Sequence, residues 1–217
     1  MITAQKGMQQ KVLESKADFI LIGAGRGGGM TTAMMLHARH NARKAGFYGE
    51  YWDDSNASKW TRDSAIDVFS DAEYKESCMR FYFNNRSRFS FRKDQDKTPD
   101  CVYLEDISRK PEEFLTAWDY DKIVASCHID HKSWLGVWMK EQELYKCDEL
   151  MYIYINDDLS KMISSNCIGL LKDIVGDSSR IKSFEYIHSD LEENTALINS
   201  DTEYIRSIRE KTIKGSW

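Results

Sequence analysis

The stretch Phe19 to Met35, FILIGAGRGGGMTTAMM, constrains this chain more than any other. Phe19 to Ile22 is an apolar run of strand length. Gly23, Gly25, Gly27, Gly28 and Gly29 then supply backbone angles that only glycine adopts cheaply, and Thr31 and Thr32 open a run of helix formers from Ala33 to Arg39. Strand, glycine turn and helix in that order build a cradle for an anion: small residues let backbone N–H groups converge, and a helix N-terminus adds partial positive charge. The spacing departs from the phosphate-loop pattern G-x-x-x-x-G-K-[ST], which, aligned on Gly29 and Thr31, asks for glycine at Ala24 and lysine at Met30. A thioether neither donates to a phosphate nor neutralises it, so the cationic contact of such loops is missing. A glycine-rich turn without a ligand stays open as the alternative.

A second signal lies at Cys101 to Asp106, CVYLED, an apolar run that ends in two adjacent carboxylates. Parallel strands buried on both faces have this composition, and acids at their carboxyl ends lie where open α/β sheets bind ligands. In a phosphate-binding fold the first acid, Glu105, would hold Mg²⁺, and the second, Asp106, would orient the attacking water. Alone, the pair reads equally well as the start of a loop.

A chain of 217 residues is long enough for one sizeable core, and a single α/β domain over 1–217 is expected. A hydrophobic fraction of 41%, a charged fraction of 30% and only two prolines exclude a long disordered linker. No run is apolar enough for a signal peptide or a membrane span, so a soluble protein of the cytoplasm is expected. Five cysteines, odd in number and without a C-x-x-C pair, read as reduced thiols. The net charge of −5 argues against a nucleic-acid coat over the whole surface. His37 and His40, and His128 and His131, stand three apart; with only Cys127 nearby, they read as solvated histidines rather than metal ligands.

The remaining elements follow in order. Lys6 to Ser15 reads as a helix carrying Gln9 and Gln10, whose amides suit the edge of adenine or a solvated face. Gly46 to Trp52 is a candidate strand, Asp53 to Ser58 a polar turn, and Asp63 to Ser77 a helix. Met79 to Phe91, MRFYFNNRSRFSF, is a hairpin with Asn84 and Asn85 suited to a tight left-handed turn. Its arginines, with Lys93, interleave with aromatics. That pattern either grips single strands and phosphates or solvates a hairpin whose rings pack inward. Ile123 to Cys127 is a further buried strand ending at His128. Trp134 to Gln142 reads as a helix, Tyr152 to Ile155 as a strand, Leu159 to Ile174 as a helix, and Thr202 to Thr212 as a last helix.

Taken together, these pieces resemble the ATPase domain of the large terminases of tailed bacteriophages. KGMQQKVLES looks like the family's adenine-reading segment, with Gln9 in place, and GAGRGGGMTT is similar to its loop GGxRGGGK[ST], with Arg26 at the arginine. FYFNNRSRFSF and CVYLED match the hairpin and acidic strand. VASCH with HKSWLGVWMK looks like the coupling segment of type ATxNP, which falls on Ser126, Cys127 and His128. DLEENTALINSDTEYIRSI with KGSW resembles the closing segment.

The resemblance implies a P-loop NTPase fold of the ASCE type, with a central, mainly parallel sheet flanked by helices and ATP and Mg²⁺ as ligands. Nucleotide contacts fall on Gln9, Ala24, Gly25, Arg26, Gly27, Gly28, Gly29, Met30, Thr31 and Thr32. Thr31 and Glu105 fall on the metal, Asp106 on the water and Arg26 on the γ-phosphate. It implies double-stranded DNA, a portal protein and a small terminase subunit as partners, and a ring of subunits. The nuclease domain of RNase H type is expected to be missing, or supplied by a separate chain. Several positions depart from the pattern: Met30 replaces lysine, Glu105 and Asp106 invert the usual order, His128 and Ile129 stand for Asn-Pro, and Thr195 replaces proline. A catalytically impaired, terminase-like assembly component is the alternative function.

Overall fold

In this computed structural model, residues 3–24, 29–52, 59–94, 96–128, 132–146, 150–176 and 179–189 are described, with Asn199 and Arg206. The expected turn at 53–58, the expected helix at 202–212 apart from Arg206, and Thr195 lie outside the described residues.

In chain order, α1 (Met8–Glu14) precedes β1 (Phe19–Ala24), and α2 (Met30–Asn41) leads to β2 (Tyr48–Trp52). Then come α3 (Lys59–Val68), β3 (Glu73–Lys75), β4 (Arg80–Tyr82), β5 (Arg88–Ser90), β6 (Cys101–Leu104), α4 (Pro111–Ala117), β7 (Ile123–Cys127) and α5 (Trp134–Glu141). The chain continues through β8 (Met151–Ile155), β9 (Met162–Ser165), α6 (Ile168–Val175) and β10 (Ile181–Ser189).

The ten strands among the described residues form one sheet in the order β3-β4-β5-β2-β6-β7-β1-β10-β8-β9. The central run β2-β6-β7-β1-β10 is parallel throughout, and β2 also pairs in parallel with β5. Numbered by chain position, those five strands lie in the order 5-1-4-3-2. One extra strand, β7, therefore separates the strand before the glycine loop from the strand that ends in the two acids. This is the α/β fold of ASCE type expected from the sequence. The outer strands are antiparallel hairpins.

Alternation along each strand feeds two cores, which explains why β1, β6 and β7 are apolar without a break. Ile20, Ile22, Tyr51, Phe89, Tyr103 and Val124 face α1, α2 and α3. Phe19, Leu21, Val102, Leu104 and Ala125 face α4 and α5. Phe19 stacks against Phe114, Trp118 and Phe184 at centroid distances of 5.4, 5.5 and 5.2 Å, joining two strands and a helix. Its truncation to alanine would cost about 3–5 kcal/mol.

Four expectations are corrected. The helix expected over 63–77 ends at Val68, because Phe69 turns into a cluster with Phe81, Phe83 and Phe89, and Glu73–Lys75 joins the sheet edge against β4. The helix expected over 159–174 holds only from Ile168, as α6, while Met162–Ser165 is the second strand of a β8–β9 hairpin. Leu159 is left-handed (φ 62°), and the Asn156 side chain accepts from Lys161 N at 3.0 Å, so local polar bonding displaces the helical ladder. The β4–β5 hairpin exists, but its left-handed residue is Arg86 (φ 68°) rather than an asparagine. Asn85 instead uses its amide to reach Ala42 O at 2.7 Å and Ser87 N at 3.1 Å.

His37, expected in solvent, is buried at 2% exposure with Nδ1 2.9 Å from the Tyr103 hydroxyl. Burial first, then the charges of Lys122, His40 and Lys44, lower its pKa to about 3, so the ring is a neutral member of the core. His40 is exposed. Strand β10 has no counterpart among the sequence-based expectations. Among the described residues no helix is long and apolar enough to cross a membrane, and Cys78, Cys101, Cys127 and Cys167 are free thiols.

Candidate active site

The glycine loop leaves β1 at the carboxyl edge of the sheet. Gly25, Arg26, Gly27 and Gly28 and the side chain of Ala24 lie outside the described residues. On either side of them the geometry is clear. A Cβ on Gly23 would stand 2.3 Å from the Tyr186 hydroxyl, so glycine is what lets the β10 tyrosine lie across β1 at this point. Gly29 caps α2 in the left-handed region (φ 78°, ψ 22°). The helix has no side-chain cap and no acid in its first turn, which leaves its N-terminal amides for an anion. Met30 is half-buried and packs on the core beneath α2, Thr31 is 7% exposed, and Thr32 is half-buried.

Across β7, the acids stand at the end of β6. The Thr31 hydroxyl donates to Glu105 Oε1 at 2.9 Å, although 74 residues separate them. The Tyr51 hydroxyl donates to Glu105 Oε2. Both oxygens of the half-buried carboxylate are thus held by donors from other elements.

Asp106 adopts a left-handed conformation (φ 48°, ψ 58°) that aspartate tolerates better than most residues. Its N–H donates to Ser126 Oγ at 3.1 Å. Its Oδ1 accepts from the Ser108 hydroxyl and, at 3.4 Å, from His128 N. Its Oδ2 pairs with Arg109 Nε at 3.3 Å, and the Arg109 side chain is 78% exposed.

Of the three residues read as a coupling segment, Ser126 and His128 therefore touch Asp106 directly, through a hydroxyl and a backbone amide. Cys127 is buried, and burial pushes its thiol up to about 12, so it is an inert core residue. Gln9 is 5% exposed, and its Oε1 accepts from Gln5 N at 2.9 Å, so that acceptor serves the N-terminal backbone. Gln10 is exposed and donates to Glu14 at 2.8 Å.

The structure thus gathers Thr31, Glu105, Asp106, Ser126 and His128 at one edge. It adds Tyr51, Ser108 and Arg109, which sequence reasoning missed. Tyr51 lacked a signal because only the β2–β6 pairing, with Tyr51 opposite Tyr103 and Trp52 opposite Leu104, brings it to the acids. Among the described residues no cluster of three or more His, Cys, Asp or Glu side chains forms a metal cage. A hydroxyl and a carboxylate do fit a hard cation that takes its other oxygens from phosphates and water, as Mg²⁺ does.

The basic hairpin is a weaker candidate. Phe81, Phe83, Phe89 and Phe91 are buried, so these rings are not presented for base stacking, and the half-buried Tyr82 ring has the Lys75 ammonium 5.1 Å from its centre. Arg80 and Arg88 converge on Asp94 at 3.0 and 3.4 Å, and Arg88 lies 4.2 Å from the centre of the Tyr48 ring. The inward-packing reading holds for those rings.

No protein-family model and no curated protein matches the chain. Among solved structures, the chain is similar to the large terminase ATPase domain of Thermus phage P74-26. The identity is 14% and the TM-score 0.45, over 83% of this chain and 79% of that one. It is similar also to a point mutant of the same domain, with 15% identity and a TM-score of 0.44 over 84% and 80% of the two chains.

Proposed function

We propose that this chain is a Mg-ATP-binding ATPase domain of the phage-terminase kind, working at the carboxyl edge of β1, β7 and β6. The observation that carries the reading is the hydrogen bond from Thr31 to Glu105, which joins the start of the loop helix to the acidic strand. Two motifs weak in isolation are brought within reach of one ion.

In this reading Glu105 accepts the Thr31 proton and leaves the threonine oxygen's lone pairs for the cation. Bound Mg²⁺ would offset charge on the phosphate oxygens. The uncapped start of α2 and the loop from Ala24 to Thr32 receive the phosphates, Arg26 supplies the guanidinium that Met30 lacks, and Gln9 is assigned to the base through its amide N–H₂ alone, its acceptor being held by Gln5 N. Asp106 orients the attacking water, and its contacts with Ser126 and His128 link it to β7. By the same resemblance the work is translocation of double-stranded DNA into a capsid in the host cytoplasm. The domain would act in a ring on the portal protein, with a small terminase subunit.

A second reading, a catalytically impaired assembly or DNA- and portal-binding component, is favoured by one set of contacts. The Asp106 carboxylate is occupied by Ser108, Arg109 and His128 N, and Met30 carries no charge. Calorimetric titration with Mg-ATP, followed by phosphate release over hours, separates the two. Binding with release supports the motor, whereas binding without release, or no binding, removes the motor and leaves the impaired component.

A further inference from the structure

Glu105 has one more rotatable bond than an aspartate, so a single hydrogen bond from Thr31 fixes its carboxylate less well than it would fix the shorter side chain. A second donor is at hand. Tyr51 is the residue before the last of β2, 1% exposed, with its ring edge-on to Phe91 at 5.6 Å. Strand alternation and the pairing of Tyr51 with Tyr103 put Tyr51, Tyr103 and Glu105 on the same side of the sheet, the side α2 covers. Packing thus locks the ring, and the hydroxyl at its tip meets Glu105 Oε2 while Thr31 takes Oε1.

We propose that Tyr51 is a positioning residue for the cation-binding carboxylate. It clamps the second oxygen of Glu105, so that a glutamate can hold the Thr31 hydroxyl and a cation's water shell in one orientation. The role rests on the Mg-ATP reading above. With both oxygens engaged by hydroxyls, each keeps lone-pair capacity for the cation or for its bound water. Partners of this kind, which orient a metal-site group without touching the ion, typically cost 10- to 100-fold in metal affinity when removed.

Tyr51→Phe removes one oxygen and keeps the ring. It is expected to weaken Mg-ATP binding about tenfold and to raise the Mg²⁺ concentration for half-saturation at fixed ATP by a similar factor. ATP binding in EDTA should stay near wild type, while the melting temperature without nucleotide falls by a few degrees for the lost hydrogen bond. A merely structural hydroxyl would lower the melting temperature equally and would not discriminate between metal-bound and metal-free nucleotide.

Glu105→Asp, whose carboxylate falls short of the phenol, should show the same kind of loss by itself. In that background Tyr51→Phe should add little, so the two effects are strongly non-additive. Unchanged Mg-ATP affinity in Tyr51→Phe, equal weakening with and without Mg²⁺, or additive effects in the double mutant would each overturn the assignment. Wild-type protein that fails to bind Mg-ATP would instead overturn the ATPase reading, and the Tyr51 role with it.

Discussion

Met30→Lys tests whether the start of α2 is aimed at phosphate. The helix begins at this residue, behind a left-handed Gly29, with no side-chain cap and no first-turn acid to compete for its amides. Met30 is half-buried against the core that includes Met8 and Val12 of α1. A lysine there can keep its aliphatic stem on that surface and extend its ammonium outward. The lost packing falls equally on free and bound protein, so it lowers the melting temperature by a few degrees rather than the affinity. What the substitution adds to the complex is a charge-assisted contact of about 1.5–3 kcal/mol, which corresponds to roughly 10- to 100-fold tighter Mg-ATP binding. Phosphate release should rise less, because Asp106 keeps its own partners. Calorimetry on wild type and variant reads the change directly. An affinity that stays level or falls would mean that the amides at the head of α2 do not face phosphate.

Gly23→Ala forces the Tyr186 ring, otherwise 2.3–2.8 Å from the new methyl, to withdraw. The expected cost is about 1–3 kcal/mol, a melting shift of roughly 2–10 °C, and it should largely vanish in a Tyr186→Leu background. Glu105→Gln keeps the shape but not the charge of the carboxylate, so Mg²⁺-dependent ATP binding should fall while EDTA-insensitive binding persists; equal loss in both would count against Glu105 as the metal residue. His37 has a folded pKa near 3, below its unfolded value of 6.5. Its contribution is therefore complete above about pH 6.5 and declines as pH falls toward 3, by up to about 1.4 kcal/mol per unit. Urea melts at pH 7 and pH 5 should show a slope that His37→Gln flattens.

The parallel centre of the sheet was legible because strands buried on both faces must be continuously apolar, as FILI, CVYL and IVAS are. The carboxylate pair was legible because it follows such a run directly. Residue identity could not reveal that β7 intervenes between the two motifs, nor that Tyr51 ends beside Glu105, since both follow from strand order. Strand β10 escaped notice because IKSFEYIHS alternates and carries Lys182. That lysine is buried, but its ammonium reaches Tyr120 O at 2.6 Å and lies over the Trp118 ring. Over Leu159 to Ile174 a short apolar stretch fits either period: the Asn156 turn decides for a hairpin as far as Ser165, and only Ile168–Val175 is helical. His37 was misread since nothing in its local sequence announces Tyr103, its partner across the sheet.

Strand β10 lies beside β1 in the middle of the sheet, and Asp18 and Ser183, bonded to each other, are 165 residues apart. A ribosome adding about 5–20 residues per second needs roughly 10 to 30 s to make that span. Throughout this time β1 has one side open, as an apolar edge able to pair with any other nascent chain. The strand that carries the glycine loop is thus secured from both sides only late in synthesis. A chain cut short before residue 181 would expose the same edge permanently, and its fate would be aggregation rather than partial activity.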